Sequence, residues 1–137
     1  MNNINKVFCH YVQSLEMKLI GFNELCLAHY AKRSKYGKVF LNIEKSQYNI
    51  VKTNNNIYID APIFSQAFRW FREKHNLFGC IDLHTSTPIH WYIRIDDIIK
   101  NDYIYHSEDN DLKFKTYEEA ELACLKKLIE IVKTKQI

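Results

Sequence analysis

Apolar residues recur at helical spacing from Phe8 through Tyr11, Val12 and Leu15 to Leu19, and Gly21 follows where a left-handed closing residue belongs. The pattern predicts a first helix over roughly residues 5–20. The period then shortens: Leu25 to Ala31 and Val39 to Ile43 are β-rich runs on either side of a cationic turn containing Gly37, which predicts a hairpin. Tyr48 to Val51 and Ile57 to Ile59 flank Thr53-Asn-Asn-Asn56, a turn-favouring run that allows a short irregular hairpin. A second helix opens at Asp60-Ala-Pro62, with Asp60 or Ala61 as its cap. It runs over roughly 62–76 on a stripe of Phe64, Ala67, Phe68 and Phe71.

Beyond it, Cys80 to His84 and Ile89 to Ile95 alternate as two strands of a second hairpin, with Trp91, Ile93 and Ile95 facing inward beside Ile81 and Leu83. An odd-length loop then sets Cys80, Asp82 and His84 opposite Arg94, Tyr92 and His90 on the outer face. Tyr103 to Tyr105 reads as a short strand inside an acidic stretch, 96–111. In the last helix Thr116 and Glu119 form a capping box, Glu118 and Glu121 sit near the positive dipole end, and Lys126, Lys127 and Lys133 lie toward the negative end. These elements predict an α+β fold: a small single domain over 1–137, antiparallel strands with helices packed on one face, in the order α-ββ-α-ββ-α.

Composition narrows the picture. A chain of 137 residues with 19 Phe, Trp and Tyr but only three Gly and two Pro is built to fold rather than to stay disordered. It holds no run of the ~20 apolar residues that a membrane span requires. The first residues lack the apolar core of a secretory signal, so a cytoplasmic protein without a membrane partner is expected. Cys9, Cys26, Cys80 and Cys124 show no CxxC spacing and read as reduced, small hydrophobes.

The net charge of +3 is uneven. Residues 1–80 carry 11 basic and 5 acidic side chains, whereas residues 81–137 carry 8 and 11. Lys32, Arg33, Lys35, Tyr36 and Lys38 crowd four cations and an aromatic onto one hairpin tip, the chemistry of a phosphate-binding surface. Glu121 falls in the same helical sector as Tyr117, Cys124, Leu125 and Leu128. A lone buried carboxylate there needs a partner, and the expectation is a structural ion pair with Arg69 or Arg72 of the second helix, or a position near the rim, a catalytic carboxylate being the alternative. The Arg69-to-Lys74 run reads as the polar side of an amphipathic helix. Asp82, His84 and His90 share the outer sheet face and are the metal candidates. The spacing reads instead as a solvated face, with no metal or cofactor expected. No Gly-rich phosphate cradle, nucleophile elbow or kinase motif is present, so no enzyme is expected.

The segments Ala61-Pro-Ile-Phe-Ser-Gln-Ala-Phe-Arg-Trp-Phe-Arg-Glu-Lys-His75 and Thr116-Tyr-Glu-Glu-Ala-Glu-Leu-Ala-Cys-Leu-Lys-Lys-Leu-Ile-Glu-Ile-Val132, and more loosely Leu19-Ile-Gly-Phe-Asn-Glu-Leu-Cys26, resemble a group of small uncharacterised proteins of phages and prophages of Bacteroides-type gut bacteria. That resemblance implies a mobile-element context in a host bacterium and no particular activity. The resulting expectation is a non-enzymatic accessory protein that binds a host or phage protein through its sheet or its 96–111 segment. The alternative is nucleic-acid binding by the tip from Lys32 to Lys38.

Overall fold

The computed structural model describes residues 3–33, 37–46, 51–53 and 56–136. It is an α+β protein, and the described residues form antiparallel strands in two sheets and three α-helices. The chain forms two compact units that meet in sequence between Gln66 and Ala67.

The first unit holds a 3-10 turn (Asn3–Val7), α1 (Tyr11–Leu19) and strands β1 (His29–Arg33), β2 (Val39–Asn42), β3 (Val51–Thr53) and β4 (Asn56–Asp60). Their antiparallel order is β2-β1-β4-β3, with Tyr30 opposite both Leu41 and Ile59. The ladder draws in Thr53 and Asn56, which the sequence placed in a loop, so the short hairpin is a full part of the sheet. Tyr48 of that expected hairpin lies outside the described residues.

The first helix is shorter than the predicted 5–20. Phe8 bridges to Ile63, and Cys9 N–H donates to the Pro62 carbonyl at 2.8 Å, so the chain at residues 8–10 is extended and α1 begins only after His10. Its buried face also differs from the apolar stripe. Val12 and Leu19 are exposed, while Gln13, Ser14 and Met17 are buried. What turns the helix is a polar contact: the Lys18 ammonium pairs with the Asp60 carboxylate, the two side chains being 3% and 0% exposed. The second oxygen of Asp60 accepts from Ser46 Oγ at 2.7 Å, and the same hydroxyl lies 3.1 Å from the Ala28 carbonyl. Asp60 is therefore the last residue of β4 and the anchor of a buried network, in place of the helix cap expected from Asp60-Ala-Pro62. A buried ion pair holds only when its remaining hydrogen-bond sites are filled, and Ser46 fills one here.

The helix α2 (Phe64–His75) crosses the division between the units. The second unit continues with β5 (Leu77–His84), β6 (His90–Asp97), β7 (Asp102–His106), a 3-10 turn (Ser107–Asn110) and α3 (Tyr117–Lys135). Its sheet order is β5-β6-β7. The hairpin register is the one its alternation predicts: Cys80 opposite Arg94, Asp82 opposite Tyr92, His84 opposite His90. The helix α3 starts on its cap, Thr116 Oγ1 accepting from Glu119 N–H at 3.1 Å. Glu119 reaches back one residue further than an ordinary capping box, to Lys115 N–H at 3.2 Å. Ala120, Cys124, Leu125, Leu128, Ile129 and Val132 are its buried stripe, and the helix packs on β5 and β6 over Ile93 and Ile95. Gly79 lets that layer close: a Cβ there would stand 2.9 Å from Cys124 Sγ, 3.1 Å from Leu128 and 3.2 Å from Phe68. Phe68 of α2 and the middle of α3 thus converge on one strand position. Among the described residues no helix is long and apolar enough to cross a membrane.

Candidate functional site

With α3 covering one side of β5-β6-β7, the strand alternation presents Phe78, Cys80, Asp82 and His84 of β5 and His90, Tyr92, Arg94 and Asp96 of β6 on the other. From β7, His106 stands opposite Arg94 and Tyr103 opposite Asp96. Tyr103 and Tyr105 would share a face in a regular strand. The register shifts between Ile95 and Asp96, and this bulge carries Tyr103 round to the outer face, its ring centroid 6.4 Å from that of His106.

The face is chemically graded along the strands. At the hairpin end the rings of His84 and His90 stack at 5.4 Å with 19° between planes, and Tyr92 meets them edge-on at 4.5 and 5.0 Å. In the middle, Arg94 bridges two carboxylates, Asp82 Oδ2 at 3.5 Å and Asp96 Oδ2 at 3.3 Å. The thiol of Cys80 lies 3.3 Å from Asp82 Oδ1. At the far end an open groove of about 470 Å³ is lined by Phe78, Arg94, Asp96, Asp97, Ile98, Asn101, Asp102 and Tyr103. The carboxylate of Asp97 is held below its usual range by hydrogen bonds from the backbone of Lys100 and then Ile99, which keeps it ionised at the rim.

Asp82, His84 and His90 share the face, as expected, without forming a metal centre. Asp82 is turned to Arg94 and Cys80, and His90 Nδ1 lies 2.8 Å from the Pro88 carbonyl. Among the described residues no three His, Cys, Asp or Glu side chains are grouped to hold a metal. Burial, then the hydrogen bond and charge of Asp82, push the Cys80 thiol up, which favours its protonated form. Cys26 and Cys124 are pushed up to about 12, in each case chiefly by burial, and none of the four cysteines is in a disulfide.

Glu121 lies half-buried on α3, and its carboxyl is pushed up to about 7 by burial and then by the charge of Glu118. An ion pair with Arg69 or Arg72 would pull it down, so the structure corrects that assignment. Among the described residues Glu121 makes no salt bridge to either arginine. Of the cationic tip, Lys32 and Arg33 end β1 and Lys38 precedes β2, with Arg33 and Lys38 exposed, while Lys35 and Tyr36 lie outside the described residues. Sequence reasoning missed Phe78, Asp96 and Tyr103 as members of one row. The alternation that paired Cys80 with Arg94 extends one step further to Phe78 and Asp96; the bulge that brings Tyr103 has no signature in the residues.

No family model and no solved structure matches the chain. Among curated proteins it is similar to Protein TIC 214 of Solanum bulbocastanum, 29% identical over 119 residues, a match that covers 82% of this chain and 6% of that protein. This similarity, to a protein of a plant, overturns the expected kinship with the phage and prophage proteins of Bacteroides-type bacteria. The chain thus spans about 6% of the length of that relative.

Proposed function

We propose that the protein is a non-enzymatic interaction module that binds a protein partner on the outer face of β5-β6-β7. The observation that carries this reading is the groove at the β6–β7 end, where large side chains remain in solvent: Tyr103 is 55% exposed, Ile98 48% and Phe78 37%. Apolar surface gathered at a polar-rimmed concavity marks interaction sites more often than scattered exposure does. The strand β7 adds an unpaired edge among the described residues, the kind of border that accepts an incoming extended segment. The non-enzymatic part is supported by buried thiols that favour the protonated form, by the contacts of Asp82 with Arg94 and Cys80, and by those of Asp97 with turn backbone.

Affinity capture from lysate of the source cells tests the reading, using the full chain beside a Phe78→Ser/Tyr103→Ser variant. A discrete protein retained by the first and lost by the folded variant supports it. Equal retention by both would contradict it.

A second reading keeps Lys32, Arg33 and Lys38 as a nucleic-acid contact, supported by their gathering where β1 ends and β2 begins, at the Lys32–Val39 end of the ladder. Fluorescence anisotropy with labelled RNA and DNA across a salt series tests it. Binding that loses salt dependence when Lys32, Arg33 and Lys38 become Ala supports that reading, and flat signals end it.

A further inference from the structure

We propose that the row Phe78–Asp96–Tyr103 is a clamp for the cationic side chain, lysine or arginine, of the partner, an inference that rests on the docking face above. The two registers set the row: Phe78 of β5 stands opposite Asp96 of β6, and Asp96 opposite Tyr103 of β7. One carboxylate thus lies between two exposed aromatic rings in a single cross-strand line. Cations bind over aromatic faces, and a carboxylate between the rings adds direct charge pairing.

The acceptor capacity is open. Asp96 meets Arg94 through Oδ2, and its Oδ1 takes no hydrogen bond from any described residue. Three carboxylates line the groove, Asp96, Asp97 and Asp102, against one guanidinium, and that guanidinium is divided between Asp96 and Asp82. Lys100 and Lys135 lie close enough to act on Asp97. The negative charge left for a ligand therefore belongs to Asp96 and Asp102. A groove of about 470 Å³ falls within the ~300–1,000 Å³ range of small-ligand sites, which suits one long side chain with its neighbouring backbone. An anionic or purely apolar segment would leave these carboxylates desolvated without partners, a cost that selects against it.

The test uses the full chain, 15N-labelled, titrated with hexalysine, with hexaglutamate and amine-acetylated hexalysine as controls. The expected result is amide shifts centred on Phe78, Asp96 and Tyr103 with hexalysine alone. Tyr103→Ser should weaken binding about fivefold, the loss of one cation–π contact. Asp102→Asn, on an exposed residue whose change leaves the sheet intact, should weaken it by a similar factor and lower its salt dependence. Shifts centred on Glu108 to Asp111, equal binding of acetylated peptide, or affinity indifferent to Tyr103→Ser would each overturn the clamp. Absent hexalysine binding alongside a partner still lost by the Phe78→Ser/Tyr103→Ser variant would refute the cationic ligand while leaving the docking face standing. Absent binding with no such loss would refute both.

Discussion

Lys18 with Asp60 in the first unit, and Arg94 with Asp82 and Asp96 in the second, are the same pairing of cation and carboxylate in opposite surroundings. The first pair is 3% and 0% exposed, and Ser46 takes the remaining carboxylate oxygen. The second group is 30–37% exposed and shares one guanidinium between two acids, and among the described residues nothing donates to Asp96 Oδ1. Excluding water makes an ion pair a structural joint whose rupture is expensive, whereas solvent reduces it to a weak tie that a ligand can rearrange. The difference separates a device that fixes a helix on a sheet from a part-exposed group that suits the docking role proposed for its face.

The sharpest break in that comparison is Asp60→Ala. It strands the Lys18 ammonium without its carboxylate, and urea denaturation should show a loss of about 3–5 kcal/mol. The double change Lys18→Met with Asp60→Leu should return most of it, because the charge and its counterpart leave together. In the second unit the comparable vulnerability is steric. Gly79→Ala sets a methyl 2.9 Å from Cys124 Sγ, and thermal unfolding should register about 1–3 kcal/mol of destabilisation from the displaced α3 layer.

Glu121 gives a pH-dependent intermediate case. Its folded value of about 7 lies above the ordinary 4.5, so the native chain holds more protons than the unfolded chain between those values. Stability should fall as pH rises through that window, and Glu121→Gln should remove this dependence. At pH 8 the variant should be about 1 kcal/mol more stable, after allowance for solvent screening of a half-buried group, as read from urea midpoints across pH. Smallest of all, Arg94→Gln should change stability by less than about 1 kcal/mol, since its partners are solvated, which sets it apart from the Asp60 variant by the same assay.

The sequence made some of this visible. Strict alternation in β5 and β6 with an odd-length loop dictates which side chains face each other, and the three outer pairs from Cys80–Arg94 to His84–His90 follow directly. The α3 stripe and its Thr116 cap are equally local and equally readable. What escaped is non-local or polar. Hydrophobic periodicity cannot see that α1 buries Gln13, Ser14 and the Lys18 side chain, because the partner that makes this tolerable, Asp60, lies forty-two positions away. An aspartate two residues before a proline reads as a cap, and only the sheet shows it ending a strand. The apolar sector of Glu121 was legible, its charge environment was not, since that depends on how far Arg69 and Arg72 stand from it in space. A bulge placed Tyr103, and bulges leave no fixed pattern in composition.

In the function proposed above, the outer face of the second unit binds a partner while the buried pair of the first unit serves the fold. Site-specific photo-crosslinking reads this directly: a benzophenone amino acid at Tyr103, and another at Val12, which is 55% exposed on α1, each irradiated in lysate of the source cells. One discrete adduct is expected from Tyr103, competed away by unlabelled chain, and none from Val12. The same adducts from both positions, or none from Tyr103, would contradict it.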